Sequence, residues 1–161
     1  MLNRLQVTLL GLLITLMISS GGQPVSACVE GLNWGMTLDQ VQAHLGESRP
    51  LTIDQPNRFI ARDVLLDRLP VSRVTFDLDR ASGLQRLAYE FAMDDMTEVL
   101  AGLRSRHGQP LSTDLENANQ TQQIWVWNTG EDLITAIRSN NTDQQHFLIS
   151  YRPSRLRPEM L

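Results

Sequence analysis

The chain has 161 residues, with 18 Asp and Glu against 14 Lys and Arg, for a formal net charge of −4 at pH 7. Every basic residue is an arginine, and the acidic balance argues against a general nucleic-acid binder, which shows a surplus of positive charge. A single cysteine rules out an internal disulfide framework, and three histidines far apart in sequence lack the paired spacing of a zinc site.

Residues 1–27 read as a signal peptide. Arg4 gives a short positive start, residues 5–18 are mostly apolar, and a small, polar stretch ends in Val25-Ser26-Ala27, the small side chains a signal peptidase needs. The apolar run is shorter than the roughly 20 residues that span a bilayer as a helix. Export follows as an expectation, with residues 28–161 as one domain large enough to bury roughly two-thirds of its unfolded surface. Cleavage would leave Cys28 first. Val-Ser-Ala-Cys resembles the bacterial lipobox, so two readings of Cys28 stand together: an acylated anchor, or a soluble protein with a spare thiol or intermolecular disulfide. The location expected is the bacterial envelope, periplasmic or lipid-anchored, with the membrane reached only through a lipid on Cys28.

Further along, Trp34-Gly35-Met36-Thr37 opens a helix. Thr37 is an N-cap, Gln40 completes a capping box, Met36 and Val41 can staple it, and Gly46 stands at the C-cap. Leu38, Val41 and Leu45 share one face at helical spacing. Strands are expected within 58–66, at 73–79 and at 87–91, with residues 80–83 as a hairpin loop. Asp95 and Glu98 spell a second capping box, and Val99, Leu100 and Leu103 carry a helix to Gly108, with Pro110 blocking its extension. Residues 115–123 read as a loop, and strands follow at 124–127, 133–138 and 146–151.

The two stretches share an order of helix, glycine, proline and strands, which divides the domain into halves of about 28–93 and 94–152 with a tail at 153–161. The fold class expected is α+β: an antiparallel sheet of about six strands from two helix-plus-three-strand units, with both helices on one face.

Gly35-Met36-Thr37, Gln40-Val41 and Leu45-Gly46 resemble the helix signature of the SmpA/OmlA (BamE-like) outer-membrane-assembly lipoproteins. They are also similar to the helix-and-meander units of β-lactamase-inhibitor-like exported proteins. That resemblance implies an exported accessory or assembly domain that binds protein, while fold alone does not fix function.

The residues offer no local catalytic spelling: no Gly-x-Ser-x-Gly, phosphate loop or Gly-x-Gly-x-x-Gly occurs. Residues 77–83 only faintly match a calcium loop, since the fifth position is Ala81 and the glycine comes one place late. Asp94-Asp95 reads as helix capping, and His44 and His107 as helix C-terminal residues, where positive charge is favoured. No catalytic residue, metal ligand or cofactor is assigned. The expectation is a non-enzymatic domain, with a small ligand carrier or hydrolase, using a site between sheet and loop, as the alternative.

The stretch Ile124-Trp125-Val126-Trp127 carries the binding expectation. On a strand, Ile124 and Val126 would face the helices while Trp125 and Trp127 project from an open sheet face beside Arg138 and Arg152. Aromatics with arginine nearby are the composition of a protein-binding hot spot, here for another envelope protein. The opposite phase, with the indoles in the core, and a cover by the long polar loop both stay open, and the oligomeric state is not legible. The arginine-rich residues 152–158 read as a solvated tail or as a contact for anionic lipid or an acidic partner.

Overall fold

A computed structural model describes residues 31–66, 68–114, 122–141 and 144–155. The predicted signal sequence, Cys28, most of the predicted 115–123 loop and the end of the tail lie outside the described residues. Among those described, no helix is long and apolar enough to cross a membrane.

Helix α1 (Leu38–Leu45) forms where its capping chemistry places it. The Thr37 hydroxyl accepts from Gln40 N–H at 3.3 Å, and the Gln40 side chain accepts from Thr37 N–H at 2.9 Å. Gly46, at φ 80°, closes it by donating to the Gln42 carbonyl. Of the expected apolar face, Val41 is buried and Leu45 packs against the core, whereas Leu38 is left 38% exposed.

Helix α2 (Met96–His107) starts differently from expectation. A 3-10 turn at Met93–Asp95 runs directly into it, so Asp95 already has helical dihedrals and its side chain makes no cap. An N-cap needs an extended residue to aim its oxygen back at the helix, which corrects the capping-box assignment at Asp95. Val99, Leu100 and Leu103 are buried, and Gly108 N–H closes the helix on Arg104.

The strands are β1 (Thr52–Gln55), β2 (Arg58–Ala61), β3 (Val64–Leu66), β4 (Leu69–Val71), β5 (Arg73–Asp79), β6 (Gly83–Phe91), β7 (Ser112–Asp114), β8 (Gln122–Asn128), β9 (Asp132–Asn141) and β10 (Gln144–Pro153). Eight of them form one antiparallel sheet in the order β1-β2-β5-β6-β10-β9-β8-β7, and β3-β4 pair separately as a hairpin. The sheet is therefore wider than the six strands expected. Short strands at β1 and β7, too brief to show alternation in sequence, add one to each flank.

The order puts two meanders side by side, joined last strand to last strand where β6 meets β10, with Tyr89 opposite Ile149. The β3-β4 hairpin is an excursion between β2 and β5; the matching step in the second meander, β8 to β9, is a tight turn. There Thr129 N–H donates to the Asp132 carbonyl.

Alternation sorts the strand residues. Phe76, Leu87, Tyr89, Phe91, Phe147 and Ile149 are all buried in one cluster, which also contains Val41 of α1, the buried residues of α2, and Val64, Leu66 and Val71 of the hairpin. Aromatic rings link the two halves across the β6-β10 seam: Tyr89 meets Tyr151 edge-on at 6.1 Å, and Phe91 lies 6.5 Å from Phe147. The segment before α1 is tied in as well. Gly35 N–H donates to Leu84, and Leu84 N–H donates to Met36. Gly83, at φ 68°, is required there, because a Cβ would run into the Gly35 carbonyl.

Candidate functional site

Strand β8 decides the phase that sequence left open. Trp125 is 6% exposed and Trp127 2%, while Ile124 and Val126 are only half-buried. The Trp127 indole N–H donates to the Gly108 carbonyl at 2.9 Å, using an acceptor at the end of α2, and Trp125 meets Phe147 edge-on at 6.3 Å. A buried indole needs a partner for its one donor, and the end of a helix supplies a free carbonyl. This corrects the expectation of an exposed tryptophan pair: the aromatic side of β8 is core, and its β-branched side faces outward.

The same parity separates the other two residues singled out. Arg138 follows Ile134 and Ala136 on the core side of β9, where its guanidinium donates to the Gln123 side chain at 3.3 Å. Arg152 follows Leu148 and Ser150 on the outward side of β10 and is exposed. Of the four residues grouped from sequence, only Arg152 lies on the outward side.

Two chemistries share that outward side. Across β2, β5 and β6 it is ionic. Asp77 accepts from Arg58 at 2.8 Å and from Arg86 at 2.6 Å, and Arg73 pairs with Glu90 at 2.8 Å. These are cross-strand neighbours in register. Burial raises the Asp77 carboxyl, and hydrogen bonds from the two guanidiniums, with their charges, outweigh it and hold Asp77 below the usual carboxylate range. Across β8, β9 and β10 the outward side is apolar. Ile124 lies opposite Ile137, which lies opposite Leu148; Val126 lies opposite Thr135, and Leu133 opposite Arg152. All of these except Arg152 are half-buried. Composition alone did not reveal this patch, because both phases of residues 124–127 are apolar. The clearer signal was β10, where Phe147, Ile149 and Tyr151 alternate with Leu148, Ser150 and Arg152.

Where Leu133, Arg152 and Asn128 meet, a shallow pocket of about 460 Å³ opens, completed by Gln85, Pro153 and Arg155. A larger groove of about 830 Å³ runs beside the start of α1, between the β1-β2 and β5-β6 turns. Leu38, Ile53 (73% exposed) and half-buried Phe59 line it. Its ionisable residues are Asp39, Asp79 and Arg80. Asp79 is occupied by its own turn: the Ser82 N–H and hydroxyl and the Ala81 N–H all donate to it, which lowers its pKa. With Asp77 held by arginines, neither carboxylate of the faint calcium motif is offered to a cation.

One carboxylate departs upward. Asp132 is buried at the start of β9, and burial pushes it to about 6, against the hydrogen bond it accepts from the Trp34 indole at 2.8 Å and with the neighbouring Glu131 charge adding to the rise. Among the described residues, no second ionisable side chain hydrogen-bonds or ion-pairs with it to take or supply a proton. Burial, and then the Arg106 charge, hold His107 below the ordinary histidine value, which works against the positive charge expected at a helix C-terminus. Among the described residues, no group of three His, Cys, Asp or Glu gathers as a metal set would.

No family model matches the chain, and no curated protein matches it. Among solved structures, it is similar to the crystal structure of a DUF4309 family protein (YjgB) from Bacillus subtilis subsp. subtilis str. 168. The two are 17% identical over 73% of this chain and 78% of that one, with a TM-score of 0.46.

Proposed function

We propose that this chain is an exported, non-enzymatic accessory domain that binds another envelope protein through the sheet face opposite its core. Both helices and the β3-β4 hairpin then lie over one face and leave the other open. A single observation carries this: Ile124, Val126, Ile137 and Leu148 form a half-buried cross-strand patch on the side away from the residues of the core cluster. Flat apolar area of this kind marks association surfaces. The docking residues are these aliphatics in place of Trp125 and Trp127. Export, and a location that is periplasmic or anchored through Cys28, rest on the spelling of residues 1–28.

Site-specific photo-crosslinking in the native host tests it. A photoreactive side chain at position 137 or 148 should trap one recurrent envelope protein, and the same group at exposed Gly102 should not. Equal or absent trapping at all three positions would remove the proposal. Mass spectrometry of the mature N-terminus reports whether Cys28 carries a diacylglyceryl group. The ligand-carrier alternative has the groove beside α1 in its favour; Ile53→Asp would then abolish uptake of an apolar fluorescent probe.

A further inference from the structure

Four arginines project from the outward side of the sheet among the described residues, and three are committed: Arg58 and Arg86 to Asp77, and Arg73 to Glu90. Arg152 is the exception. It is exposed, no carboxylate among the described residues lies within ion-pair distance of it, and it stands where the ionic half of the face gives way to the apolar half, opposite Leu133. Arg155 lines the same 460 Å³ pocket, with Gln85 and Asn128 as neutral polar neighbours and Leu133 and Pro153 as apolar ones. The Asn128 side chain is already engaged, accepting from Gly130 N–H and the Ser154 hydroxyl, which fixes that wall of the pocket.

On this basis, which rests on the docking reading of the face, we infer that Arg152, assisted by Arg155, is a carboxylate anchor. It receives an Asp or Glu of a partner protein segment whose neighbouring aliphatic side chains lie on Leu133, Ile137 and Leu148. Charge complementarity selects this occupant. A guanidinium pairs with a carboxylate through paired N–H donors, and both arginines reach the pocket from a chain that is acidic overall. A membrane surface fits less well, because the chain carries a net charge of −4 and the arginines on the ionic half of the face are already paired with Asp77 and Glu90. Arg152 would set which acidic segment docks and in which direction, while the aliphatic patch supplies area.

Amide chemical-shift titration of the 15N-labelled protein separates the outcomes. The probes are the peptide acetyl-Leu-Thr-Leu-Thr-Leu-Glu-amide, its Gln counterpart, and phosphatidylglycerol vesicles. The expected result is that the Glu peptide shifts the amides of Leu133, Asn128 and Arg152 roughly tenfold more tightly than the Gln peptide, a ratio matching one charge-assisted pair. Arg152→Gln should reduce that ratio to near one with the amide spectrum otherwise unchanged, and Arg155→Gln should reduce it in part. Glu and Gln peptides binding the face equally, or Arg152→Gln leaving the ratio intact, would overturn the carboxylate anchor while leaving the docking face standing. Arg152-dependent shifts with vesicles and none with peptide would replace the protein partner by lipid. Shifts confined to the helix side, or none with any probe, would overturn the anchor; helix-side shifts would also remove the docking face.

Discussion

The two faces of the β8-β10 sheet are built from the same strands with opposite logic. On the core side, large aromatics interlock: Trp127 donates to the end of α2, Trp125 meets Phe147 edge-on, and Tyr89 meets Tyr151 across the seam. On the outward side, aliphatic and small residues lie at half-burial, with the Arg58-Asp77-Arg86 ladder completing the face on β2, β5 and β6. One side uses depth and fixed donors to exclude water, and the other carries smaller side chains that are mostly half-buried. Apolar content alone therefore does not distinguish core from surface in this sheet; side-chain volume and partnered donors do.

The sharpest break in that comparison comes from Trp127→Ala. It should cost about 3–5 kcal/mol, because it empties a large volume and orphans the Gly108 carbonyl. Urea denaturation measures this, and a cost near zero would put Trp127 back on the surface. Asp132→Asn comes next and acts with the opposite sign. The native carboxyl titrates at about 6, above its unfolded value, so the folded state holds its proton longer and stability falls as pH rises from about 4 to about 6. Asparagine keeps an acceptor for the Trp34 indole, so the variant should match the parent near pH 3.5 and be about 1–3 kcal/mol more stable at pH 7.5.

The outward side should respond less. Asp77→Asn should lose about 1 kcal/mol at pH 7, since its two ion pairs are partly solvated. Asp77 is depressed in the fold, so its contribution is present above the unfolded value near 3.8 and vanishes as pH falls through the lower folded value; melting across pH 2–7 follows it. The smallest effect belongs to Ile137→Thr, about 0.5 kcal/mol by denaturation, because threonine suits a half-exposed strand position. The same change should weaken partner trapping, and a loss of several kcal/mol would show that something covers this face.

What sequence made legible was local. Thr37 and Gln40 name both ends of a reciprocal hydrogen bond, and the cap forms where they stand. Asp95 and Glu98 carry an equivalent spelling, yet the preceding 3-10 turn changes the dihedral on which the cap depends, and no spacing rule records that. The phase of β8 was illegible for a different reason. Ile124-Trp125-Val126-Trp127 is apolar on both sides, so burial is decided by which strand lies beside it and in which register. β1 and β7 escaped because four and three residues, mostly polar, are too few to carry a period. The separation of Arg138 from Arg152 follows from the same parity: one occupies an even position on β9 that faces the core, the other an even position on β10 that faces out.

Strand β1, the outermost on its side, has a register shift between Ile53 and Gln55 against β2, and all four of its residues are exposed. A broken hydrogen-bonding rhythm and the charge of Asp54 make that margin a poor template for another molecule's backbone. Edge-to-edge pairing of copies into a continuous fibril is thereby discouraged at this margin of the sheet.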